Sequence, residues 1–322
     1  DVKKFSNYNG IKVFDFHPIH IFLNSENMDR YENSREVHRD FEKLKEYVFD
    51  EYATRSFLFD LINLNIKEKM LNTQLDKNIA KLLEENQIRF FERVYSDGLE
   101  KYKHRLKQYG LEKKEKVLEA GCGFGQWSFS LAELNKEVVG IEFDKNRVLA
   151  VENLIKMNGI ENFKVLQGSI ESLPFEDNSF DAVFCYGVIF LTDWKKSLKE
   201  LCRVLKPNGT LYVNANGKGW YHHLIITEHN KDSIYNPRQV GINAFINTDR
   251  YKNGFERLMG TDIIIDKDEL VEELSKNCCE VVAFESEGKI NANEQSISFY
   301  KEEYFGELGV YEVLANKTSS KE

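Results

Sequence analysis

Three glycines alternate with other residues in Glu119-x-Gly121-x-Gly123-x-Gly125, directly after the apolar run "KVLEA" at 116–120. Glycine permits the backbone of a tight turn and removes the Cβ that would hold a ligand away from the chain. If a helix starts at Gln126, its first N–H groups have no partner inside the helix and open onto the same crevice. Glu142 closes the next apolar run, "EVVGIE" at 137–142. A carboxylate there is a charged acceptor, and hydrogen bonds to a charged acceptor are the strong ones. A dinucleotide site asks for Gly-x-Gly-x-x-Gly, with the third glycine at helix-packing distance. Here the position three beyond Gly123 is Gln126.

These residues need elements to hold them, and the chain supplies a regular set. Strands are expected at 116–120, 137–142, 163–168, 180–187 and 209–215, the last after the turn "KPNG". Helices are expected at 126–135, 144–159 with Gly159 as its stop, and 193–206. Strands separated by helices of this length imply right-handed βαβ units and a parallel sheet covered on both faces. After Ala215 the alternation lapses for some 45 residues rich in aromatic and polar side chains. That stretch is too long for a plain connection in a compact domain and is expected to be a helical lid. A helix at 266–277 and strands at 280–285 and about 304–315 follow.

Upstream, "IKVFDFHPIHIFL" at 11–23 alternates apolar and polar residues and reads as a strand. Val37, Phe41, Leu44 and Val48, then Ile88, Phe91, Val94 and Tyr95, recur at helical spacing, so 36–108 reads as helical. The expected organisation is a strand segment at 1–32 and a helical linker and cap at 33–108. A catalytic domain at 109–316, with its lid at about 216–260, and a tail at 317–322 complete it.

The order Glu-x-Gly-x-Gly-x-Gly resembles motif I of the class I S-adenosylmethionine (SAM) dependent methyltransferases. Glu142, with Phe143 beside it, stands where that family places the acid for the ribose hydroxyls. "QGSIESLPFEDNSFDAV" at 167–183 is similar to the family's adenine-contacting stretch and its approach to the fourth strand. Ser169 replaces the Asp common in the family, leaving a weaker partner for the adenine amine, while the backbone of Ile170 serves the ring. The resemblance covers 88–215 strongly. It implies an α/β, Rossmann-like doubly wound sheet of the seven-stranded class I type, with an N-terminal helical extension and a lid after strand five. It implies SAM as cofactor, held by Glu119, Gly121, Cys122, Gly123, Gly125, Gln126, Glu142, Phe143, Ser169, Ile170 and Tyr186.

Methyl transfer is an in-line displacement, so most of the protein's contribution is positioning. A hydroxyl or amine acceptor also needs a base. Candidates are Tyr186 and Asp193 after the fourth strand, beside Cys185, and His222 or His223 of the lid, near Trp220, Tyr221 and His229. Adjacent helical residues diverge by about 100°, so His222 and His223 cannot both face one site. Tyr186 reads better as a packing wall than as a base. His17 and His20, three apart on an expected strand, point to opposite faces, and no metal site is expected.

Net charge is −9 from 44 basic and 53 acidic residues, which argues against a dedicated nucleic-acid surface. The longest apolar window, 182–191, is too short to span a bilayer. Cys122, Cys185, Cys202, Cys278 and Cys279 form no framework spacing, which reads as reduced thiols and a cytoplasmic chain. There is no Asn/Asp-Pro-Pro-Tyr after the fourth strand and no Pro-Cys nucleophile, so the expected acceptor is a small molecule or glycan, methylated on oxygen. Residues 14–32 resemble the tail of polysaccharide-deacetylase-like domains. That implies a surface-polysaccharide sugar as acceptor and an upstream domain of the same polypeptide, a reading that fits a chain starting at Asp1. Two rivals stay open: a non-catalytic SAM-fold assembly module, and an NAD(P)-dependent oxidoreductase.

Overall fold

The computed structural model describes residues 15–67, 71–294 and 296–319. The chain divides into two compact units, 1–71 and 72–322.

In the first unit, helices α1 (Pro18–Leu23), α2 (Met28–Ser34), α3 (Phe41–Leu44) and α4 (Thr54–Lys67) follow one another. The expected strand at 11–23 is corrected here: residues 18–23 are helical, and 11–14 lie outside the described residues. Proline suits a first helical turn because its missing N–H would have no partner there. The His20 and Ile21 N–H groups instead close on the carbonyl of His17. Ile19, Phe22 and Leu23 fit a helical period as readily as an alternating one. Buried Asn24 then ties the unit together, donating to the carbonyls of Phe49 at 2.8 Å and Glu51 at 2.7 Å and accepting from the N–H of Arg55 at 2.9 Å.

In the second unit, short α5 (Lys77–Ala80) precedes α6 (Glu85–Tyr95) and α7 (Glu100–Gln108). The alternation that follows is β1 (Lys116–Ala120), α8 (Gln126–Leu134), β2 (Glu137–Glu142), α9 (Lys145–Asn158), β3 (Phe163–Gln167), β4 (Phe180–Cys185), α10 (Trp194–Val204) and β5 (Leu205–Asn216). The lid helices α11 (Lys218–Thr227) and α12 (Pro237–Lys252) come next, then α13 (Lys267–Lys276) and β6 (Cys279–Ser286). The expected last strand at 304–315 is in fact a hairpin, β7 (Glu303–Tyr304) with β8 (Glu307–Leu308), followed by β9 (Val310–Lys317).

The main sheet has the order β3-β2-β1-β4-β5-β9-β6, with β1 to β5 parallel and β9 antiparallel to both neighbours. This is the doubly wound, seven-stranded sheet expected from the sequence. Its central strands are apolar on both faces: Val117, Leu118, Val138, Val139, Ala182 and Val183 are fully buried, as a parallel sheet with helices on either side requires. Strand order reverses between β1 and β4, which opens a crevice at the carboxyl edge beside the glycine loop. Lid helices α11 and α12 share a small core of Tyr221, Leu224, Ala244 and Ile264. Among the described residues no helix is long and apolar enough to cross a membrane.

One buried charge holds the carboxyl side of this sheet. Arg105 of α7 has no exposed surface and pairs with Glu287 and Glu312, which are equally buried. Glu312 also accepts from the hydroxyls of Tyr109 at 2.7 Å and Tyr212 at 2.9 Å and from the N–H of Ile290 at 2.9 Å. Glu287 accepts from Tyr186 at 2.8 Å and from the N–H of Phe299 at 2.9 Å. Burial opposes the charge on Arg105, but the paired carboxylates outweigh it and keep it protonated.

Removing the guanidinium leaves two carboxylates buried without a cation, which costs about 3–5 kcal/mol. Arg105→Met is therefore expected to lower the urea midpoint by the equivalent of that energy. A loss below about 1 kcal/mol in that titration would show that the cluster relaxes without its cation.

Candidate functional site

The glycine loop joins β1 to α8 with Gly121, Gly123 and Gly125 all in the left-handed region, at φ 80°, 56° and 84°. Each has a different neighbour. A Cβ on Gly121 would lie 2.7 Å from the side chain of Val188, which follows β4. At Gly125 it would lie 3.1 Å from Phe129. At Gly123 the nearest atom is a Phe90 ring carbon 3.9 Å away, so this backbone is bare on its outer side. The side chain of Cys122 turns inward instead, where its Sγ would stand 2.9 Å from a Cβ on Gly140. Only its backbone is left for a ligand.

Glu119 and Gln126 flank the loop, and both are buried. Glu119 accepts the hydroxyl of Ser128, and burial pushes its carboxyl well above the usual range despite that bond. The amide oxygen of Gln126 has no hydrogen-bond partner among the described residues. A buried acceptor left open at a helix start is a place for a ligand's donor.

Glu142 ends β2 with 6% of its surface exposed. One carboxylate oxygen accepts the N–H of Gly123 at 2.9 Å, the other the N–H of Asp144 at 3.0 Å, and an Arg147 nitrogen lies 3.8 Å away. Burial still raises its pKa, against the pull of those N–H groups and Arg147. Each oxygen keeps a second lone pair, so two ribose hydroxyls can be answered without breaking the bonds to the loop. Phe143 beside it is 71% exposed and offers a free ring face. The N–H of Gly168 donates to the carbonyl of Glu142 at 2.9 Å, which brings Ser169 and Ile170 to the same edge. Ser169 Oγ accepts the N–H of Glu171 at 3.1 Å, and Ile170 is buried.

Helix α6 packs against this arrangement. Gln87 donates to Asp144 at 2.7 Å, the rings of Phe91 and Phe124 meet edge to face at 5.2 Å, and the Tyr95 hydroxyl donates to the carbonyl of Phe124 at 2.7 Å.

The expected bases fare differently. The ring of Tyr186 lies tilted beside that of Trp127 with centres 4.9 Å apart, and burial and Glu287 push its phenol well above the usual range. It is a protonated wall. Asp193 caps α10, accepting the N–H of Lys196 at 3.3 Å and the Tyr251 hydroxyl at 2.7 Å. His222 pairs with Glu307 and stacks on Phe245 at 5.1 Å. His223 turns away, stacking on Tyr304 at 4.3 Å beside His229 and Trp220. Burial, His229 and Lys301 hold its pKa below the ordinary value. The two histidines have different partners, as their divergence on one helix demands. His17 and His20 lie with ring centres 6.0 Å apart in the first unit. No group of three or more metal-ligating side chains gathers among the described residues.

Comparison with known proteins adds to this geometry. Residues 118–213 match the family described as a methyltransferase domain, and residues 1–35 match a polysaccharide deacetylase family. The demethylmenaquinone methyltransferase of Geobacillus stearothermophilus is 35% identical over 108 residues, covering 32% of this chain and 46% of that protein. That of Staphylococcus aureus strain Newman is 39% identical over 111 residues, covering 33% and 45%. The chain thus spans about half the length of these curated relatives. Among solved structures, a chain of a complex containing the Haloferax volcanii Trm112 methyltransferase activator aligns with TM-score 0.50 at 16% identity, over 76% of this chain and 99% of its own. A SAM-dependent methyltransferase from Aquifex aeolicus aligns at TM-score 0.45 and 19% identity, over 76% of this chain and 100% of its own.

Losing the Glu142 carboxylate removes hydrogen bonds to a charged group, at about 1.5–3 kcal/mol. Glu142→Ala is expected to weaken S-adenosylhomocysteine (SAH) binding by about 10- to 100-fold. Unchanged affinity in a calorimetric titration would take Glu142 out of the site.

Proposed function

We propose that this chain, whose residues 118–213 are a class I SAM-dependent methyltransferase domain, transfers a methyl group to a hydroxyl of a glycan or a related small molecule. Bound SAM supplies an electrophilic methyl on a sulfonium and leaves as the neutral thioether SAH. The observation that carries the reading is the joint placement of Glu142 and Gly123. The carboxylate braces the bare loop through one N–H and keeps lone pairs for a ribose. A structural turn has no need of that pairing, and it weighs against an idle assembly module.

The residues around the crevice are suited to positioning and to excluding water. Tyr186, backed by Trp127, closes the side toward β4, and α6 closes the side over Gly123. With tyrosine protons held tightly here, the wall donates no base and carries no charge that would repel or trap the sulfonium.

Two observations support a glycan acceptor. Residues 1–35 match a polysaccharide deacetylase family, and a methyl-transfer domain on the same chain as such a segment favours a glycan acceptor. The lid presents Trp220, with Tyr300 edge-on at 5.0 Å and Tyr304 at 5.8 Å, and such rings suit the apolar face of a sugar. The relatives' names favour a second reading, a quinone. Their likeness, however, runs over only 108–111 residues and 32–33% of this chain.

The test is SAH release from SAM with two acceptor sets: nucleotide-activated hexoses with short oligosaccharides, and demethylmenaquinone. Turnover in the sugar set alone is expected. Turnover with the quinone alone would overturn the acceptor assignment while leaving methyl transfer in place.

A further inference from the structure

Asp262 has no counterpart among the residues that the sequence brings to notice. It lies on the segment after α12 that runs back across the carboxyl edge of the sheet. The neighbouring Ile263 N–H donates to the carbonyl of Phe190 at 2.8 Å. Phe190 belongs to the same turn as Val188, the residue that presses on Gly121. Two residues further on, the Ile265 N–H reaches the carbonyl of Asn216, the last residue of β5, at 3.4 Å. Asp262 is therefore pinned between the ends of β4 and β5, on the acceptor side of the glycine loop.

Its carboxylate is held from one side. The hydroxyl of fully buried Tyr221 donates to Oδ2 at 2.9 Å, and Asn216 Nδ2 donates to that same hydroxyl at 3.3 Å. Asn247 of α12 donates to the backbone carbonyls of Thr261 and Asp262, at 2.9 and 3.2 Å, which fixes the segment without using the carboxylate. The other oxygen, Oδ1, makes no hydrogen bond among the described residues. The remaining neighbour with a titratable group is Tyr235, between α11 and α12, which also feels Arg93 of the covering helix α6. No cation is paired with Asp262 among the described residues. Burial raises its carboxyl to about 6, against the Tyr221 bond. The group is thus ionised at neutral pH yet basic enough to take a proton.

We propose that Asp262 is the general base of methyl transfer, with Tyr221 as its positioning residue. The inference rests on the methyl-transfer reading above. As the acceptor oxygen bonds to the methyl carbon, the carbon–sulfur bond breaks with its electron pair on sulfur. The hydroxyl proton passes to Asp262 Oδ1. The products are the methyl ether, SAH and a protonated carboxyl that returns its proton to solvent.

The test needs no acceptor. Sinefungin is a SAM analogue with an amine-bearing carbon in place of the methylated sulfur, so its ammonium projects where the methyl would travel. The wild-type chain is expected to bind sinefungin at least about tenfold more tightly than SAH at pH 7.5, the worth of one charge-assisted bond. Asp262→Asn should erase that margin and leave SAH affinity within about twofold, since the amide oxygen still accepts from Tyr221. If that variant does not fold, the wild-type margin decides the matter, because it should shrink as pH falls through about 6. A margin that survives in Asp262→Asn or is flat across that range, or equal affinity for the two ligands, overturns the assignment. Binding of neither ligand would overturn the methyl-transfer reading itself, and the role of Asp262 with it.

Discussion

A guanidinium with no contact with water must find its counter-charges inside the protein, and Arg105 finds them in Glu287 and Glu312, which in turn gather hydroxyls from further pieces of chain. Glu287 follows β6, Glu312 sits in β9, Tyr212 in β5 and Tyr186 at the end of β4. Breaking such a cluster by removing one partner is far more costly than never having built it. Helix α7, the antiparallel half of the sheet and the wall of the cofactor crevice are therefore fixed together. The cluster carries one cation and two carboxylates, and three tyrosine hydroxyls and two backbone N–H groups satisfy the remaining lone pairs. Tyr186 is consequently a fixed surface. Its hydroxyl is committed downward to Glu287, and its ring is what remains for the crevice.

On this base the carboxyl edge splits into two environments. Toward β1, β2 and β3 it offers backbone N–H groups, bare glycines and a buried acid, with few alternatives in geometry. Toward β4 and β5 it is covered by the lid, whose helices have a small core of their own. Asp262 stands at the seam, tied to the ends of β4 and β5 through backbone bonds and to the lid through Tyr221.

The glycine loop and the acid that closes β2 were legible because their residues are constrained locally. Only glycine suits three left-handed positions in one turn, and an acid at the end of the next strand is one residue in a short window. The alternation of strands and helices was legible for the same reason, since each element carries its own period. The strand expected at 18–23 was not, because Ile19, Phe22 and Leu23 satisfy both periods and Pro18 marks a helix start only once the helix is known. The acceptor side was not legible either. Asp262 acts through partners 41 and 46 residues upstream in Tyr221 and Asn216. A signal for the Arg105 cluster did exist. Tyr102, Leu106 and Tyr109 put Arg105 on the apolar face of its helix, and Glu312 interrupts the otherwise apolar "VYEVLA". Charges placed where core residues belong point to one another.

The central claim is that the glycine loop and Glu142 bind the adenosyl sulfonium and not a dinucleotide. Calorimetric titration of the whole chain with SAM, SAH and NADH, each alone, tests it most directly. Micromolar binding of the two sulfur ligands with none of NADH is the predicted result. Binding of NADH in their place, or of none of the three, would contradict it.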